Sequence, residues 1–121
     1  MKGICKIQLK GSEVVLAERA TMANNFYLRL MGLMGRKSLD PYDALVLHSD
    51  LAMQSIHTFF MRFSIDVIFL NKKMKVLKIV KKMKPFRMTR LVWGASTVIE
   101  LTAGSVESKI KEGDILEFIY V

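Results

Sequence analysis

Three ionisable residues stand inside otherwise apolar runs, and their types could do chemistry together. His57 opens His57-Thr58-Phe59-Phe60-Met61, Asp66 sits in Ile65-Asp66-Val67-Ile68-Phe69-Leu70, and Glu100 sits in Val98-Ile99-Glu100-Leu101. An unpaired polar group in an apolar setting is costly, so each of the three must find a partner. If each run is a strand, alternation puts His57 with Phe59 and Met61, Asp66 with Ile68 and Leu70, and Glu100 with Val98 and Thr102. We expect His57, Asp66 and Glu100 to converge at a barrel mouth, with Arg29 or Arg36 reaching in, as a pocket for a small polar or anionic ligand. One imidazole and two carboxylates could also hold a divalent cation, but a second histidine is usual for transition metals and His48 lies on another strand. No metal ligand, cofactor or catalytic residue is therefore assigned, and an enzyme built on the same cluster ranks behind a binding module. The competing structural account pairs the carboxylates with Arg29, Arg36 or backbone amides and leaves His57 as a satisfied structural histidine.

Charge defines a second candidate. The net charge is +8, and no acid lies between Asp66 and Glu100, while Lys72, Lys73, Lys75, Lys78, Lys81, Lys82, Lys84, Arg87 and Arg90 fall in that window. Lys72, Lys73, Lys82, Lys84, Arg87 and Arg90 are the anion-binding residues this run suggests, for RNA, an anionic surface or a phosphorylated small molecule. Met83, Phe86, Met88 and Trp93 are interleaved with the cations, a mixture that can stack on a ring and hold phosphate. No known nucleic-acid motif accompanies them, and a solvated lysine-rich hairpin is the simpler account. Gly32-Leu33-Met34-Gly35 lacks the spacing and the lysine of a phosphate-cradling loop. Cys5, the only cysteine, has no basic partner that the sequence can assign to activate it and reads as a small hydrophobe.

The elements that must position these residues are mostly strands. At 121 residues, 51% hydrophobic and 25% charged, the chain has the composition of one ordered domain spanning residues 1–121. A lone cysteine excludes an internal disulfide, and neither a signal-peptide core nor a membrane-length apolar run is visible, so a reducing, cytoplasmic setting is expected. Residues 4–9 and 14–18 read as a hairpin around Lys10-Gly11-Ser12. Met22, Phe26 and Leu30 recur every four residues, predicting a helix over 21–31 with Thr21 as N-cap and Gly32 closing it. Asp40-Pro41-Tyr42-Asp43 is a turn. Further strands are predicted at 44–48, 55–61, 65–70, 74–82, 96–102 and 115–121, with 49–54 as a connection and 86–94 as a loop. The fold class expected is mainly β: a barrel or jelly-roll-like sandwich of about eight strands with one short helix.

Taken in order, Arg29-Leu30-Met31-Gly32-Leu33-Met34-Gly35-Arg36, His57-Thr58-Phe59-Phe60-Met61 with Ile65-Asp66-Val67-Ile68-Phe69, Lys84-Pro85-Phe86, Val98-Ile99-Glu100-Leu101 with Ala103-Gly104, and Gly113-Asp114 resemble domain of unknown function 192 over roughly residues 15–119. The resemblance implies a mostly β fold with a jelly-roll or barrel-like core and one helix, and it implies no activity or site residues. Ser64 stands where the family pattern has proline and Phe86 where it has tryptophan, which loosens two bends without removing a chemical group.

Overall fold

In the computed structural model, residues 4–23, 43–56, 58 and 63–120 are described. Strand β5 (Ile65–Leu70) is buried along its whole length, the mark of a strand covered on both faces. Around it the sheet runs in the order β6-β5-β8-β3-β2-β1-β9. The other strands of that sheet are β1 (Ile4–Leu9), β2 (Val15–Ala23), β3 (Asp43–His48), β6 (Val76–Met83), β8 (Thr97–Thr102) and β9 (Leu116–Tyr120). Two short strands, β4 (Met53–Gln54) and β7 (Val92–Trp93), make a separate two-stranded sheet. All pairings are antiparallel except β2 with β3.

The sheet curls until its edge strands approach at one end. Lys75 and Ile115 form a bridge, and the Val76 N–H donates to the Asp114 carbonyl at 2.8 Å while the Leu116 N–H donates to the Met74 carbonyl at 2.9 Å. The result is a half-barrel with two apolar faces. The concave face gathers Ile7, Ala20, Val46, Ile68, Ile99, Leu101 and Leu116, so every wall strand contributes to it, β6 through Val76. The convex face carries Leu45, Leu47, Ile65, Val67, Phe69 and Val98, packed with Ile56 and Val92 from the outer segments.

The mainly β class agrees with the sequence reading, and there is no helix among the described residues. Thr21, Met22 and Ala23 do not open a helix; they end β2, paired in register with Leu45, Val46 and Leu47 of β3. Cross-strand pairing outweighs a four-residue apolar spacing, which is a local signal only. Residues 24–31 of the expected helix and residues 40–42 of the expected turn lie outside the described residues. Within the strand predicted at 55–61, Ser55, Ile56 and Thr58 are not in a strand, and the others lie outside the description. No helix of the described residues is long and apolar enough to cross a membrane.

Candidate anion-binding groove

The groove is built by an irregularity in β6. Ile65 pairs with Met83 and Val67 with Val80, so Asp66 alone faces both Lys81 and Lys82. That is a β-bulge, one extra residue that bends the strand and re-aims its side chains. Without it, Met83, three residues after Val80, would point to the opposite face; with it, both pack on the convex core. Lys82 takes a positive φ of 50° to make the bulge, a left-handed conformation that costs a non-glycine residue on the order of 1 kcal/mol. Its N–H donates to Asp66 Oδ1 at 2.8 Å.

Asp66 is fully buried, and its second oxygen is also engaged. Oδ2 accepts the Gly104 N–H at 3.1 Å and the Val106 N–H at 2.9 Å. One carboxylate thus joins β5, the β6 bulge and the turn after β8. A buried carboxylate with three amide donors is a satisfied group.

Beyond the bulge the chain turns at Lys84-Pro85-Phe86, and Thr58 holds that turn. The fully buried Thr58 donates its hydroxyl to the Lys84 carbonyl at 2.6 Å and accepts the Arg87 N–H at 2.9 Å. Its own N–H donates to the Arg87 carbonyl at 2.8 Å, and its carbonyl accepts the Phe86 N–H at 2.9 Å. Phe86 is itself left-handed, with φ at 60°. Residues 86–94 then run antiparallel to residues 52–56 and 58: Thr89 N–H donates to the Ile56 carbonyl, Gln54 pairs with Val92, Met53 with Trp93, and Gly94 N–H donates to the Ala52 carbonyl. The segment expected as a plain loop is one edge of a hydrogen-bonded ribbon.

Between this ribbon and β6 lies a groove of about 350 Å³ with Val80 and Met83 among its lining and Lys78, Lys82, Lys84, Arg87 and Arg90 around it. All five cations are exposed, and none forms an ion pair with a described residue. Crowded like charges repel one another, a cost that a bound anion removes. A second hollow of about 420 Å³, beside β2 and the turn after β8, is lined by Glu18, Glu107 and Lys109 and so carries both signs.

The sequence-derived cluster does not assemble as expected. Asp66 pairs with Leu101 and shares the concave face, whereas Glu100 pairs with Val67 and Leu45 on the convex face. The two carboxylates are therefore on opposite sides of one sheet. Glu100 is buried and is not an unpartnered carboxylate. His57, Arg29 and Arg36 lie outside the described residues. Of the basic set, Lys82, Lys84, Arg87 and Arg90 line the groove; Lys72 and Lys73 occupy the hairpin turn before the eight-residue β6, roughly 25 Å from Lys82 and about 15 Å from Lys78 at strand spacing. Lys78 and Thr58 were missed: Lys78 because a lysine run does not say which members share a face, Thr58 because its bonds reach across 26 and 29 residues.

Other polar groups offer less. His48 Nδ1 lies 3.3 Å from Thr97 Oγ1 and Nε2 lies 3.3 Å from the exposed Asp50 Oδ1, a surface pair of small energetic weight. No group of histidine, cysteine, aspartate and glutamate suited to a metal occurs among the described residues. Cys5 is buried, and burial pushes its thiol above the ordinary range.

The fold defines a curled, mainly antiparallel half-barrel with a basic groove on its convex side. A family model described as an uncharacterized ACR, domain of unknown function 192, matches residues 7–118, and the chain belongs to that family. Among solved structures, a protein of unknown function from Novosphingobium aromaticivorans is 22% identical, with a TM-score of 0.81, covering 94% of this chain and 84% of its own. A proposed transcription regulator from Sinorhizobium meliloti is 18% identical with a TM-score of 0.81, covering 98% of this chain and 94% of its own. At these identities the likeness is one of fold. No curated protein matches the chain.

Proposed function

We propose that this chain is a binding domain that takes phosphate-bearing anions in the groove between β6 and the ribbon of residues 86–94, with no chemical step of its own. The observation that carries the reading is the ring of Lys78, Lys82, Lys84, Arg87 and Arg90 around the groove, unneutralised by any described acid. Lysines supply point charges and the arginines supply planar forks suited to phosphate oxygens. Asp66 acts here as a positioning residue: it holds the bulge that turns Val80 and Met83 to one face. The small-ligand function expected from sequence is thereby moved from the His57, Asp66, Glu100 cluster to the basic groove.

A thermal-shift titration with inorganic tripolyphosphate tests it. The native protein should gain stability with ligand concentration, because a ligand that binds only the folded state raises the midpoint by mass action. The gain should shrink as salt is raised and vanish in the Lys82→Glu, Arg87→Glu double variant. An equal gain in that variant would reject the groove as the site.

A further inference from the structure

The ribbon beside the groove exposes more apolar surface than a solvated edge needs. Leu51 is 74% exposed, Trp93 71%, Met88 64%, Phe86 60% and Leu91 45%. Five large exposed apolar side chains on two hydrogen-bonded segments mark a contact surface. These side chains alternate in sequence with Arg87 and Arg90, so the same ribbon presents apolar groups and cations together.

We propose that this ribbon docks on an anionic lipid bilayer, with Trp93, Leu91, Met88 and Leu51 entering the interface and the groove cations meeting phosphate headgroups. The proposal rests on the anion-binding reading of the groove and names the source of the phosphate. Charge complementarity favours a lipid surface, since each lysine or arginine held near an anionic leaflet strengthens attachment about fivefold. The apolar chemistry chooses between lipid and nucleic acid. Stacking on bases needs aromatic faces, and Leu51, Met88 and Leu91 have none, so a nucleic acid would leave them in water. An acyl boundary takes aliphatic and aromatic side chains alike, and tryptophan favours the headgroup level.

Trp93 is the only tryptophan, so its emission reports on this ribbon alone. The full chain is titrated with vesicles of phosphatidylcholine, of phosphatidylcholine mixed with phosphatidylglycerol, and of the same mixture carrying brominated acyl chains. The expected result is a blue shift with the anionic vesicles, quenching by the brominated chains, and little response to phosphatidylcholine alone. Leu51→Ser with Leu91→Ser, both at exposed positions outside the groove lining, should weaken partitioning by roughly tenfold or more while leaving tripolyphosphate binding in place. Vesicle binding unaffected by that double substitution overturns the ribbon's role. Tripolyphosphate binding with no vesicle response overturns bilayer docking and leaves the groove reading standing. Absence of both removes the two together. Quenching of Trp93 by short single-stranded RNA, with no response to vesicles, overturns the lipid assignment in favour of RNA.

Discussion

Asp66 and the groove cations occupy the two sides of the same bulge, and they have opposite relations to their surroundings. The carboxylate is buried and takes three backbone amides, so nothing further can bind to it without breaking the fold. Lys82, on the bulge itself, and Lys84, just after it, are exposed and have no acidic partner among the described residues. A charged residue in an apolar run invites a functional reading, yet its burial is what forces its hydrogen bonds to be complete. Binding capacity lies instead where charge is left uncompensated.

The comparison can be broken most forcefully at Asp66. Asp66→Ala orphans three buried or partly buried amides and should cost about 3–5 kcal/mol, read from chemical denaturation. Because the bulge goes with it, tripolyphosphate binding should fall even at temperatures where the variant remains folded. Thr58→Val tests the second anchor: losing the hydroxyl leaves the Lys84 carbonyl and Arg87 amide without that partner, a loss of about 1–3 kcal/mol. Lys82→Gly separates the two sides. It relieves a left-handed backbone, raising stability by up to about 1 kcal/mol, while anion affinity drops with the lost charge; calorimetry and titration on one sample would show the opposed signs. The smallest effect belongs to Cys5. A folded thiol with a raised pKa keeps its proton where the unfolded thiol has lost it, so stability should fall as pH rises above the unfolded thiol's range, about 8.5. That part of the slope should be missing in Cys5→Ala, measured by denaturation between pH 8 and 10.

Much of the fold was legible because the strands are short apolar runs bounded by turn residues. β1 and β5 have the bounds read from sequence, and β3 and β8 differ by one residue at their starts. β2 was cut short because Met22 fits a helical spacing, and only the pairing with β3, joined by β1 at Thr21, reveals that Thr21 to Ala23 are extended. The faces of Asp66 and Glu100 depend on register. Val67, not Asp66, lies opposite Glu100, and a one-residue offset moves a side chain to the other face of the sheet. Nothing in either strand's own sequence states that offset. The groove was half legible: the charge window identified Lys82, Lys84, Arg87 and Arg90, but the bulge that turns Val80 and Met83 to one face rests on the Asp66 to Lys82 bond, sixteen residues apart.

The central claim is that the groove, and not the net charge of +8, binds anions, and it is tested most directly by two charge-matched double variants. Lys82→Ala with Lys84→Ala and Lys72→Ala with Lys73→Ala each remove two positive charges, one pair from the groove and one from the distant hairpin end. Tripolyphosphate titration by calorimetry at fixed salt should show roughly tenfold or greater weakening in the first and a change under about twofold in the second, the latter from long-range electrostatics alone. Equal weakening in both variants would contradict the account.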